Sequence, residues 1–122
     1  DGTTPMAMAL RHDIVQACRE RGDNRPVDLV YLSAQTMGDA KLEAEILRMF
    51  ARQLPNYVEL LCTAVDVEEI RKCAHTIKGA ARSIGAFQLA EIASIAEETR
   101  ELDVKALRAA ASEVMAFIKA LD

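Results

Sequence analysis

Apolar side chains recur at steps of three and four residues through most of the chain, which is typical of amphipathic helices. One regular series precedes Gly85, a second follows it, and a third closes the sequence. The three series are Ile70, Ala74, Ile77, Ala81, Ile84; then Leu89, Ile92, Ala93, Ala96; then Val104, Leu107, Ala111, Val114, Ile118, Leu121. They predict three successive helices separated by short connections, the second of them closing near Arg100.

A fourth and longer helix is predicted upstream of these three. Its helical stripe has one polar member, Gln53, and comprises Leu42, Ile46, Met49, Gln53, Tyr57, Leu60 and Ala64. Pro55 lies inside the stripe, removes one backbone donor and clashes with the preceding turn, so it should kink or split the helix. We interpret the segment as one kinked helix that ends at about Ala64.

Helix boundaries are marked by capping residues. Four aspartates are good N-cap candidates: Asp28, Asp39, Asp66 and Asp103. Asp28 begins a short helix from Leu29 to about Met37, stopped by Gly38, and Gly85 ends the helix that starts after Asp66. Further upstream, residues 6–21 have a weaker helical pattern in which Met8, Ile14, Val15 and Cys18 could share a face, followed by a breaker cluster at residues 22–26.

These elements predict an all-α fold, an antiparallel up-down four-helix bundle with one or two additional short N-terminal helices. The 122 residues suit one domain, and the composition, 51% apolar with no Trp, is that of a helical bundle. We divide the chain into an N-terminal arm and helix (1–26) and the bundle (27–122).

Charge and cysteine content exclude several functions. A net charge of -4 disfavours nucleic acid as a partner, and no apolar run is long enough to span a membrane. The start of the sequence lacks a signal pattern, so a cytoplasmic protein is expected. Three cysteines without a CxxC pair, and two histidines 63 positions apart, give little support for a zinc site and favour reduced thiols. We expect a monomer, because such a bundle can close its own core.

The strongest candidates for a functional site are His75, Lys78 and Gly79. They lie at i, i+3 and i+4 of a predicted helix and therefore on one face, and the apolar stripe of that helix avoids them. A mid-helix glycine costs about 1 kcal/mol relative to alanine. Without a Cβ at Gly79, another molecule can come close to the neighbouring imidazole.

An exposed imidazole can act as a nucleophile near neutral pH. Lys78 could neutralise phosphoryl oxygens, and Arg82, at i+7 from His75, extends the positive face. Taken singly, an exposed histidine or two basic residues would be an ordinary solvated surface, and Gly79 could serve helix packing. The combination on one face favours a site for chemistry on His75.

The segment from Cys73 to Ala86 resembles the signature of histidine-containing phosphotransfer (HPt) domains. The matching positions are His75, Ile77, Lys78, Gly79, Ala80, Ala81, Gly85 and Ala86. The resemblance implies that His75 accepts phosphate through Nε2, that Lys78 stabilises the phosphoryl group and that Gly79 leaves room for a receiver domain. It also implies that a polar residue 22 positions after the histidine holds the other ring nitrogen. Glu97 stands at that place, where the family pattern that the resemblance implies has Gln, so the sequence departs from the family here.

The implied function is transfer of a phosphoryl group from a receiver's aspartyl phosphate to His75 and on to another receiver. The partners would be response-regulator receiver domains, either separate or within a hybrid histidine kinase. They would dock around His75, with Ala80 and Ser83 at the flanks. The chain shows no nucleotide-binding loop, so it should not phosphorylate itself. No cofactor is expected on this chain, because the receiver's acidic pocket should hold the magnesium ion.

Two alternatives remain open. The chain could be the phospho-accepting domain of a chemotaxis-type or hybrid histidine kinase, in which a kinase domain supplies the phosphate from ATP. It could instead be a helical adaptor that is not phosphorylated, although the presence of both His75 and Lys78 argues against this. The dimerising domain of ordinary sensor kinases fits badly, because Thr76 follows the histidine and no proline occurs after Pro55.

Overall fold

A computed structural model describes residues 25–121 of the chain. This part is all-α and contains no strand. Its five helices are α1 (Leu29–Gln35), α2 (Ala40–Thr63), α3 (Val67–Ile84), α4 (Phe87–Thr99) and α5 (Val104–Ala120). The helix predicted within residues 6–21, and the arm before it, lie outside the described residues.

All four predicted N-caps are confirmed. The carboxylates of Asp28, Asp39 and Asp103 accept a hydrogen bond from the backbone N–H three residues on, and that of Asp66 accepts one from two residues on. These bonds satisfy amide groups that have no partner inside the helix. At the opposite end of α3, Gly85 is the cap and adopts the left-handed conformation at φ 83°, as predicted.

The end of α1 differs slightly from the prediction, and the end of α2 agrees with it. The short helix α1 ends at Gln35 rather than near Met37, because Met37 and Gly38 both have positive φ and cannot continue it. The helix α2 is not split at Pro55 and continues to Thr63, with Ala64 as its C-cap, so the prediction of a single helix to about Ala64 is confirmed. The kink expected at Pro55 stays a prediction.

Only part of the stripe predicted on α2 faces the core, where Ile46 and Tyr57 are partly buried. The buried residues of α2 are Leu47, Phe50, Leu54, Val58 and Leu61, whereas Leu42, Met49 and Leu60 are 41%, 50% and 51% exposed. The two sets lie on neighbouring sides of one helix, and both repeat with helical spacing. Periodicity alone cannot tell which apolar side packs against the other helices.

Each of the four long helices packs on the next, and α5 packs back on α2, so that they enclose one core. The connections between them are short (64–66, 85–86 and 100–103), which makes consecutive helices antiparallel. The stripe of α3 is confirmed: Ala74, Ile77, Ala81 and Ile84 are buried and Ile70 is partly buried.

Helix α1 lies against α2 and α3 at one end of the bundle. Its buried Tyr31 meets Phe87 at the start of α4 edge to face, with ring centroids 5.0 Å apart. Among the helices of residues 25–121, none is long and apolar enough to cross a membrane.

Candidate functional site

The packing of α3 determines where His75 lies. Because the core side of α3 is formed by the series through Ala74 and Ile77, the His75 side chain projects away from it and is 65% exposed. A ring in this position is open to another protein while its backbone is held by a packed helix.

Glu97 of α4 lies beside His75. The two residues are each eleven positions from Ala86, in the tight connection between α3 and α4, so an antiparallel pair brings them to the same level. The Oε2 atom of Glu97 is 3.0 Å from Nδ1 of His75. The Glu97 side chain is only 19% exposed, so most of it is covered by its neighbours.

Lys78 contacts the same carboxylate. Its Nζ atom is 3.0 Å from Oε1 and 2.9 Å from Oε2 of Glu97, and its side chain is 18% exposed. The sequence predicts Lys78 as a flexible positive charge beside the histidine. In the structure Lys78 lies one helical turn beyond His75 on α3, and Glu97 holds its ammonium group.

These contacts decide the ionisation of Glu97. The hydrogen bond from Lys78 lowers the pKa of the Glu97 carboxyl most, the hydrogen bond from His75 and the nearby positive charges lower it further, and partial burial opposes them. The pKa lies below the ordinary value, so Glu97 is a carboxylate at neutral pH. A carboxylate only accepts hydrogen bonds, so Nδ1 of His75 must donate. In the neutral ring Nε2 then carries the free electron pair.

The surface beside the imidazole is open. A Cβ built on Gly79 would meet nothing within 4 Å, and Arg82 and Ser83 further along α3 are exposed. Ala80 is partly buried, and the Ser83 hydroxyl donates to the Ala80 carbonyl at 2.6 Å. The structure therefore joins His75, Lys78 and Glu97 in one hydrogen-bonded group, and places Gly79, Arg82 and Ser83 on the exposed surface of the same helix.

Two arginines near this group were not singled out from the sequence. The guanidinium of Arg100, the left-handed cap of α4 at φ 62°, donates to the backbone carbonyl of Glu97. Arg71, four residues before His75, forms an ion pair with Glu68 at 2.6 Å. The i−4 spacing of Arg71 could have indicated its place on this face. The role of Arg100 depends on how α4 ends, and no sequence signal marks it.

Within residues 25–121, no group of three or more His, Cys, Asp or Glu side chains is arranged to hold a metal ion.

The model of the Hpt domain family matches residues 45–122, more than half of the chain and all of α3, α4 and α5. The chain belongs to the Hpt domain family. Hpt domains are phosphotransfer modules that interact with receiver domains in phosphorelays and lack a kinase site of their own. Neither the curated proteins nor the solved structures contain a match to this Hpt domain.

Proposed function

We propose that this Hpt domain carries a phosphoryl group on Nε2 of His75, taken from the aspartyl phosphate of one receiver domain and passed to the aspartate of another. The observation that supports this most is the pairing of Nδ1 with the Glu97 carboxylate on a ring that is 65% exposed. Such a pairing leaves Nε2, the outward nitrogen, as the nucleophile.

In the accepting step the Nε2 electron pair attacks phosphorus as the bond from phosphorus to the aspartyl oxygen breaks. The aspartate leaves as a carboxylate, and the Nδ1 proton stays in the hydrogen bond to Glu97. In the donating step a carboxylate of the second receiver attacks phosphorus and the bond to Nε2 breaks. No proton has to leave the imidazole, so the work of the protein is placement and charge stabilisation.

Lys78 and Glu97 support this chemistry in different ways. Lys78, one turn from His75, supplies positive charge for the phosphoryl oxygens once the receiver has docked. Glu97 is a positioning residue that orients the ring through Nδ1. The magnesium ion that transfer needs is assigned to the acidic pocket of the receiver.

The receiver would dock on the exposed surface of α3. Gly79 supports this placement, because no side chain there fills the space beside the imidazole. Arg82, Ser83 and Ala80 would line the contact. A relay must release each partner, so a small transient interface is expected. We further propose that the domain acts as a monomer in the cytoplasm.

The testing experiment incubates the protein with a panel of labelled, phosphorylated receiver domains, with ATP alone, and with a co-expressed kinase domain plus ATP. We expect acid-labile, alkali-stable label from a receiver, absent in His75→Gln and retained in the matched control His12→Gln. Label that persists in His75→Gln would refute the site. Label only with the kinase domain and ATP would identify the phospho-accepting domain of a chemotaxis-type or hybrid kinase, and no label from any source would favour a binding-only adaptor.

A further inference from the structure

A groove with apolar and charged lining runs along the outer side of the bundle between α2 and α5. Two adjoining depressions of about 650 and 640 Å³ form it, and both are lined by Arg48 and Ile118. Its apolar lining includes Leu29, Ala40, Ala44, Met49, Met115 and Leu121, and five charged residues border it: Glu43, Glu45, Arg48, Arg52 and Lys119. Met49 and Leu121 are 50% and 49% exposed, so the groove presents apolar surface that the described helices do not cover.

The groove is remote from the His75 site. It is built by α2 and α5 with Leu29 of α1, whereas His75, Lys78 and Glu97 belong to α3 and α4. Docking of a receiver domain therefore leaves it unexplained.

We propose that the N-terminal segment of this same chain (residues 6–21) docks in this groove as an amphipathic helix. The segment carries apolar residues that can share one helical face, namely Met8, Ile14, Val15 and Cys18. Such a face alone is marginal in water and needs a partner surface, which the groove supplies.

The position at which the segment joins the bundle favours this occupant. Val27 is fully buried and Leu29 lines the first depression, so the chain enters the bundle at one end of the groove. Residues 22–26 between them and the segment can span at most about 17 Å. The segment is therefore tethered at the groove and has a high effective concentration there.

The length of the segment also fits. As a helix, residues 6–21 would be about 24 Å long, and the stretch of α2 from Ala40 to Arg52 that lines the groove rises about 18 Å. Because the groove is entered beside Ala40, the segment would run antiparallel to α2, with Cys18 near Ala44 and Met8 towards Met49.

Disulfide trapping in the full chain tests this arrangement. Cys62→Ala and Cys73→Ala leave Cys18 as the single thiol, because the chain has three cysteines. A second thiol is then introduced by Ala44→Cys, Met49→Cys or Leu121→Cys, all in the groove. The matched control is Glu91→Cys, since Glu91 is the fifth residue of α4 as Ala44 is of α2, and is exposed.

Under mild oxidation, we expect at least one groove position to form an intrachain disulfide with Cys18 about tenfold or more faster than the control. Equal rates at all positions would overturn the proposal. A disulfide that joins two chains instead would overturn it in favour of a second copy as the occupant.

A second pair of variants tests the apolar face. Ile14→Asp should reduce disulfide formation at the groove to the rate of the Glu91→Cys control, because a charged side chain would replace an apolar one on the docking face. Gln16→Asp, on the opposite side of the segment, should leave it unchanged. If Ile14→Asp traps as fast as Gln16→Asp, the segment does not dock through this face.

Discussion

The ammonium group of Lys78 lies within 3.0 Å of both carboxylate oxygens of Glu97, whose Oε2 also contacts His75. One carboxylate thus holds the candidate nucleophile and the candidate phosphoryl-binding cation at the same time. When a phosphoryl group reaches Nε2, its oxygens compete with Glu97 for Lys78. The substitution of Glu97 and that of Lys78 should therefore have different effects.

Replacing Glu97 tests the positioning of the ring. Glu97→Gln keeps an oxygen that can accept from Nδ1, whereas Glu97→Ala removes it. We expect Glu97→Gln to accept phosphate, and Glu97→Ala to accept it on the order of tenfold or more slowly, because the ring is no longer oriented.

The nitrogen chemical shifts of the His75 ring supply the readout that a purely structural role would not change. They should show the proton on Nδ1 in the parent protein and in Glu97→Gln, and a mixture of both nitrogens in Glu97→Ala. Equal rates and equal shifts in the two variants would contradict the assigned role.

The site was predictable from the sequence to different degrees for its three members. His75 could be singled out because the stripe of α3 avoids it, and that stripe is the core side in the structure. Glu97 came from the resemblance, because its contact depends on the connection at Gly85 and Ala86, which sets the register of α3 against α4. The pairing of Lys78 with Glu97 could not be predicted, since helical spacing relates Lys78 only to residues of its own helix.

The fold also has features that the sequence predicts and features that it does not. Caps were predictable because an aspartate before a helix acts within three residues of itself. The core side of α2 was not, because this helix has apolar residues on two sides and only the packing of α3 and α5 selects one. The side left exposed includes Met49, which lines the α2–α5 groove.

Lys78→Met should slow transfer without unfolding the domain. The substitution keeps the length of the side chain and removes the charge that would stabilise the phosphoryl oxygens. Transfer rates measured from the same phosphorylated receiver, with far-UV circular dichroism as the folding control, check this. An unchanged rate would reduce Lys78 to a structural partner of Glu97.

The pH dependence of stability should report the same ion pair. Because the folded-state pKa of Glu97 is lowered from 4.5, its charge stabilises the fold above about pH 4.5, and this contribution is lost as the pH falls through the folded-state pKa. The difference in unfolding free energy between the parent protein and Glu97→Gln should accordingly shrink on acidification.

A carboxyl titration by NMR gives the matching test. The pKa of Glu97 should rise in Lys78→Met, since the hydrogen bond from Lys78 is the largest cause of its lowering. A titration midpoint that stays the same in Lys78→Met would mean that the ion pair does not persist in solution.

Gly79→Gln should separate docking from chemistry. A side chain fits there in the isolated domain, and replacing a mid-helix glycine should stabilise α3 by up to about 1 kcal/mol. The same side chain would stand beside His75 and obstruct a receiver. We expect transfer from a phosphorylated receiver to fall strongly, while labelling by phosphoramidate, a small donor, continues. Normal transfer from the receiver would remove the functional reason for this glycine.

Gly85→Ala should have the opposite effect on stability. Gly85 adopts φ 83°, and a Cβ there would lie 2.8 Å from the backbone oxygen of Asp28, which also donates its N–H to the Gly85 carbonyl at 3.0 Å. Backbone strain of this kind costs about 1–3 kcal/mol, and the contact with backbone cannot be relieved by a side-chain rotation. Thermal unfolding of Gly85→Ala and Gly79→Ala, compared side by side, should lower the midpoint in the first and raise it in the second. A midpoint that rises in both would mean that Asp28 and Gly85 do not approach each other as closely in solution as in the structure. The register that places Glu97 beside His75 would then need another origin.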